Sequence, residues 1–475
     1  MTSLKDLEPK ILWKYFDEIR QIPRCSKHEE KIAKYIVEKA KELGLEVTQD
    51  KVGNVIVRRK ASPGYENIPM VTLQSHIDMV CEKNKDVEHD FSTQGIDAYV
   101  DGDYVRARGT TLGADDGIGV AACLAMMETE EKHPPLEFLF TVDEETGMTG
   151  AFNIEKEYIK GKMLLNLDSE EFGSIYIGCA GGANSDIRLP LKFENRSGNG
   201  LKIVVKGLRG GHSGVEIDKG RANSLKLMGR ILYNINASIS KIGGGDKFNA
   251  IPREAFAEVV VDDVENARKK IEELEKAFRE EYKRSEPDLK IEVSNVEIKK
   301  VIEKEMNEHI IKMMMGLPHG VLAMSQEVPG LVETSTNLAK VEMDGELHIV
   351  MSSRSSINSA LEATLQKIRS IAELAGASVE EGSRYPGWKP NRDSKLLKIA
   401  EKAFKELYNK EPEIKAIHAG LETGVIGERV GINEMISFGP DIQHPHSPDE
   451  NVKISSVEKF WKYLLHLIEK ISEEW

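Results

Sequence analysis

Three apolar runs constrain this chain more than any other feature. PMVTLQ (69–74), LEFLFTV (136–142) and KMLLNL (162–167) are each the length of one strand and apolar or nearly so throughout. A strand with no polar side is buried on both faces, as in a parallel sheet covered by helices. Each run gives way abruptly to polar residues, SHID, DEETG and DSEE respectively. Open α/β sheets place their ligands at the carboxyl ends of their strands, so function is expected at these three transitions.

From residue 1 to about 188 such runs alternate with helical patterns, and the opening MTSLKDLEPKILWKYFDEIR reads as an amphipathic helix. Between 189 and 385 the pattern becomes polar–apolar alternation (LKIVVKG, FAEVVVD, ELHIVMSS) joined to long charged helices. Within it, Asn249-Ala-Ile-Pro and Asn337-Leu-Ala-Lys are each followed by a strand and a helix, which points to a repeated strand-turn-strand-helix unit. From 386 to 475 the α/β character returns, ending in a helix for which Ser455 and Glu458 make a capping box. The expected architecture is an α/β catalytic domain, mostly a parallel sheet with helices on both faces. It is built from 1–188 and 386–475 and interrupted by an inserted α+β lid or dimerisation domain, 189–385.

A formal net charge of -14, with basic residues interleaved among acidic ones, argues against nucleic acid or an anionic membrane as partner and for a small substrate. The N-terminus lacks the basic start and apolar run of a signal peptide, so a cytoplasmic location is expected. Cys25, Cys81, Cys123 and Cys179 are scattered without a CxxC pair, and read as buried thiols rather than as a disulfide framework or a zinc site.

The polar transitions carry the donors that a dinuclear hydrolytic centre needs: imidazoles, carboxylates, one carboxylate able to bridge two ions, and one left free to handle a proton. In SHIDM, His76 and Asp78 lie two apart at a strand end and point to one face, so Asp78 can accept the second ring N–H of His76. Asp115 and Asp116 lie in GTTLGADDGIG, where small neighbours permit a tight turn; an acidic helix start would look the same. Glu144 and Glu145 follow the second run, and adjacent residues at a strand end point apart, so one can bind metal while the other faces water. Asp168 closes the third run. QHPHSPDE offers both His444 and His446, and spacing does not choose between them.

Taken in order, SHIDM, GTTLGADDGIG, VDEETG, NLDSE and PHSPDE resemble the metallopeptidase family that includes aminoacylases, carboxypeptidase G-like enzymes, tripeptidase T and the aminoacyl-histidine dipeptidases. The match spans nearly the whole chain, and PHSPDE, GTTLGADDGIG and HAGLETG look most like the Xaa-His dipeptidase branch. The resemblance implies two divalent ions, zinc first with cobalt or manganese as alternatives. His76 and Asp168 would hold one ion, Glu145 and His446 the other, with Asp115 as the bridge. It makes Glu144 the general base in amide hydrolysis by a hydroxide held between the ions, and implies a cis Asp115–Asp116 peptide. His212 in RGGHSG resembles the histidine that polarises the scissile carbonyl, often from a partner subunit, and Arg354 in SSRSS the arginine that grips the substrate carboxylate. Asn249 is a further oxyanion candidate, and His418 and Glu422 are candidates for a pocket wall. A homodimer through the lid domain follows from the same resemblance. The rival readings are a tripeptidase, an aminoacylase-type deacylase and a non-catalytic metal-binding dimerisation module.

Overall fold

The computed structural model describes residues 3–475, which form two compact units, 3–178 with 390–416 and 421–475, and 179–389 with 417–420. The first unit is built on an eight-stranded sheet in the order Glu46–Gln49, Val55–Arg59, Leu136–Thr141, Val71–His76, Met163–Asn166, Glu434–Ser437, Ser174–Cys179, Glu413–Ile417. The pairs from Leu136–Thr141 through Glu434–Ser437 are parallel, and antiparallel strands flank them. Val71–His76 and Leu136–Thr141 are buried at every residue, as continuous apolar runs require. The helix Ala114–Glu128 is apolar on all sides and buried through Met127, so it too lies inside the unit. No helix among the described residues is long and apolar enough to cross a membrane.

The second unit is a nine-stranded antiparallel sheet packed against the helices Ser224–Asn234, Val264–Glu281, Lys304–Gly316 and Asn358–Leu374. Leu201, Ile203 and Val205 point into that core while Lys202 is exposed, the period-two signature read in LKIVVKG. A strand, strand, helix order does recur, as Ser238–Gly244, Ala255–Val260, Val264–Glu281 and as Val332–Asp344, Glu346–Ser355, Asn358–Leu374. The two asparagines used to align it are not equivalent, since Asn249 lies between strands and Asn337 within one. The expected boundary at 188/189 falls inside the strand Gly181–Pro190, which pairs along its whole length with Glu346–Ser355; the unit therefore begins earlier.

Two local readings are corrected. Cys25 and Cys81 form a disulfide, because the segments that carry them, 56 residues apart in sequence, run side by side with Cys25 bridged to Met79. Cys123 and Cys179 are buried, as read. The final helix, Ile454–Glu474, has no capping box from Ser455 and Glu458. Instead Asp103 accepts from Ser455 N at 3.0 Å and from its hydroxyl, and the Asp103 carbonyl accepts from Ile454 N at 2.8 Å.

Candidate active site

The carboxyl ends of the central strands deliver the first unit's polar cluster. His76 ends its strand, and its Nε2 lies 3.2 Å from Asp115 Oδ1 and 3.3 Å from Asp168 Oδ1. The other Asp115 oxygen, Oδ2, lies 3.1 Å from His446 Nε2, which is in turn 3.0 Å from Glu145 Oε2. Asp115 thus belongs to two groups whose candidate ligand atoms lie within 4.8 Å of one another: His76, Asp115, Asp168 and Asp115, Glu145, His446. Of the two histidines in QHPHSPDE it is the His446 ring that lies beside Asp115 and Glu145, while the His444 carbonyl accepts from Ser447 at 2.8 Å.

The Asp115–Asp116 peptide is cis, and Asp116 turns away to accept from Ser75 Oγ and from Gly119 N at 3.2 Å. A Cβ on Gly119 would collide with that carboxylate, so the small residue is needed there. Glu144 and Glu145 diverge for a reason other than the one expected. They begin a short helix, Glu144–Gly147, after left-handed Asp143, so rotation about a helix axis separates them instead of strand alternation. Glu144 joins His76 and Glu145 in a third such group.

Asp78 lies beside His76, whose Nδ1 is 3.3 Å from its Oδ1. It also accepts from the backbone N–H groups of Glu144 (3.1 Å) and Glu145 (3.2 Å) and from Ser26 Oγ (2.7 Å). Burial opposes its charge, but the His76 ring and these donors hold its pKa down at about 2. Asp168 moves the other way, to about 6, because burial and the nearby carboxylates of Asp115 and Glu145 outweigh His76. Burial first, then the charges of Asp168, Glu422 and Glu145, raise Glu144 well above the ordinary glutamate range. His446 is pushed up to about 11 by Asp115 and Glu145. So many carboxylates around two imidazoles call for cations, and oxygen and imidazole nitrogen donors suit zinc, cobalt or manganese. Glu145 Oε1 is buried without a hydrogen-bond partner, which fits an oxygen that would bind a cation.

Glu422, expected in a pocket wall, is instead fully buried in the first unit, accepting from Gln74 Nε2 at 2.7 Å and Thr141 Oγ1 at 2.6 Å. Two residues unmarked by sequence reasoning, Arg24 and Glu450, hold the loops of this site. Arg24 donates to the carbonyls of Ile77 (3.1 Å), Asp78 (2.7 Å) and Gly113. Glu450 accepts from backbone at residues 112–115. Glu450 closes the PHSPDE motif, whereas Arg24 lies about 50 residues before the first polar motif and carried no sequence signal.

The second unit carries its own group. His212 lies in a two-residue strand paired with Ala250–Ile251, and its Nδ1 accepts from the N–H groups of Gly214 (3.2 Å) and Val215 (3.3 Å). That places the ring proton on Nε2, while burial and the charge of Arg354 lower the pKa and keep the ring neutral. Asn249 supplies a carbonyl to Ser213 N at 2.9 Å, next to this bridge. Arg354 is 8% exposed and gives one N–H to Tyr385 Oη at 2.7 Å, leaving a buried Nε without a partner. His418 Nε2 is 2.7 Å from Ser335 Oγ, and burial beside the Arg354 charge lowers its pKa to about 4.

Residues 72–470 match the family described as Peptidase family M20/M25/M40. The cytosol non-specific dipeptidase of Escherichia coli (strain K12) is 40% identical over 482 residues, covering 99% of both chains. The crystal structure of aminoacylhistidine dipeptidase from Vibrio alginolyticus superposes with a TM-score of 0.92 at 42% identity, covering 98% of each. At 19% identity, aminopeptidase PepT from Bacillus cereus shares the fold, with a TM-score of 0.58 and coverage of 98% of this chain and 99% of that one. With the match running through almost the entire length, the chain belongs to peptidase family M20/M25/M40.

Proposed function

We propose that this chain is a metal-dependent dipeptidase acting on Xaa-His and other dipeptides, with two divalent ions, zinc first among them. His76 and Asp168 would hold one ion, Glu145 and His446 the other, with Asp115 shared between them. The observation that carries the reading is the Asp115 carboxylate, whose two oxygens face different histidines at 3.2 and 3.1 Å. When bound, the ions would acidify a water and polarise the scissile carbonyl.

The chain's own residues divide the remaining work. Glu144, its carboxyl made more basic by burial and like charge, takes the water proton and returns it to the leaving amine. His212 donates from Nε2 to the developing oxyanion, the tautomer its Nδ1 contacts enforce. Arg354, whose Nε has no partner, offers its guanidinium to the C-terminal carboxylate, which restricts substrates to short peptides with a free terminus. His418 and Asn249 line the same substrate-recognition group. Names of relatives support this substrate class: one is called a dipeptidase of the cytosol and another an aminoacylhistidine dipeptidase. A cytoplasmic location and a homodimer through the second unit complete the proposal.

The test is a panel of dipeptides, tripeptides and N-acyl amino acids on metal-free protein reconstituted with zinc, cobalt or manganese. Dipeptides should turn over, and amidating their C-terminus should abolish it. Glu144→Ala should lose about 10²–10⁴-fold in kcat while still binding two ions. Retained turnover in that variant, or a preference for N-acyl amino acids, would overturn the assignment.

A further inference from the structure

The loop that brings His446 to Asp115 returns to the same stretch of chain with a second side chain. Glu450, four residues on, is 2% exposed. Its Oε2 accepts from Leu112 N (2.7 Å) and Gly113 N (2.9 Å), and its Oε1 from Ala114 N (2.7 Å) and Asp115 N (3.2 Å). Four consecutive peptide N–H groups at the start of the helix Ala114–Glu128 therefore converge on one carboxylate. The convergence needs Gly113 in a left-handed conformation, φ 69°, where a Cβ would strike Arg24 and Met79. Opposite Glu450, Arg24 takes the Gly113 carbonyl and ties it to the carbonyls of Ile77 and Asp78, just past His76.

We propose that Glu450 is a positioning residue for the metal pair: by gripping the backbone that carries Asp115, it aims the two oxygens of that carboxylate at His76 and His446 together. The inference rests on the proposed role of Asp115 as the shared ligand. Glu450 touches neither substrate nor ion; it acts through the peptide groups of residues 112–115. One loop thus fixes Asp115 twice, by its side chain through His446 and by its main chain through Glu450. A carboxylate suits this place because it offers only acceptors, enough for all four N–H groups. Glutamine would turn an NH2 group toward backbone donors and strand some of them.

The experiment compares wild type, Glu450→Gln, Glu450→Asp and Asp115→Ala as metal-free proteins, with near-ultraviolet circular dichroism to establish folding. Each is then titrated with Co²⁺ by calorimetry and visible absorption. Wild type should take up two ions and Asp115→Ala should lose the paired site. Glu450→Gln should bind about 10–100-fold more weakly with an altered cobalt spectrum. At saturating metal its kcat should fall with little change in KM, and Glu450→Asp, which keeps the charge, should recover part of the loss. If Glu450→Gln does not fold, Glu450→Asp carries the same comparison with a smaller expected loss. A folded Glu450→Gln with wild-type cobalt affinity and spectrum, merely less heat-stable, would overturn the inference while leaving the metal site standing. Wild type that takes up no cobalt would overturn both.

Discussion

His444 and His446 are two residues apart in a proline-rich loop, and both have left-handed backbone, φ 53° and 60°. Only the ring of His446 reaches Asp115 and Glu145. His446→Ala should therefore leave one ion per chain by elemental analysis and cost at least about 100-fold in dipeptide turnover, while His444→Ala should retain two ions. His212 allows a finer test. Because its Nδ1 accepts two backbone N–H groups, ¹⁵N chemical shifts should report a neutral ring protonated at Nε2 at neutral pH. His212→Ala should lower kcat by about 10²–10³-fold, the usual cost of one oxyanion donor. A protonated ring, or an unchanged kcat, would contradict the role given to it.

At the level of elements, the helix Ser224–Asn234 starts at Asn223, whose Oδ1 caps it and whose amide donates to the Leu338 carbonyl at 2.8 Å and lies 3.2 Å from His319 Nδ1. Burial, then the Lys226 charge, lowers the His319 pKa to about 4 from an ordinary 6.5. The neutral ring accepts from Asn223; a protonated ring would set donor against donor. A depressed histidine pKa means stability present above pH 6.5 and lost as pH falls toward 4, here by about 3 kcal/mol. Urea unfolding of His319→Gln should lack that acid slope. The central strands were legible because a buried parallel strand needs an unbroken apolar run, and the site was legible where such runs broke into His76, Glu144, Glu145 and Asp168. What escaped depends on partners far away in sequence. The final helix is capped by Asp103 from over 300 residues earlier, so Asp103→Ala should cost about 1 kcal/mol, read as faster amide exchange at 454–458. The Cys25–Cys81 pairing and the grip of Glu450 on residues 112–115 were hidden for the same reason, since chain contacts and not spacing create them.

Across the whole molecule, the proposed ligands come from 76–168 and from 446, which lie in two of the three separated pieces of the first unit. Bound ions would cross-link them. Removing metal with a chelator should lower the unfolding midpoint, by an amount equivalent to about 2.7 kcal/mol when free metal had stood at 100 times its dissociation constant. Asp115→Ala should show little of that shift by scanning calorimetry. The sheet order has a further consequence during synthesis. Glu434–Ser437 lies between Met163–Asn166 and Ser174–Cys179, yet leaves the ribosome about 270 residues after the first of these. At roughly 5–20 residues per second, the nascent chain must wait about 15–50 s with an open edge at the centre of its sheet. A transcript broken late in its reading frame would yield a product with that gap permanently unfilled, offering its bare edge to other chains.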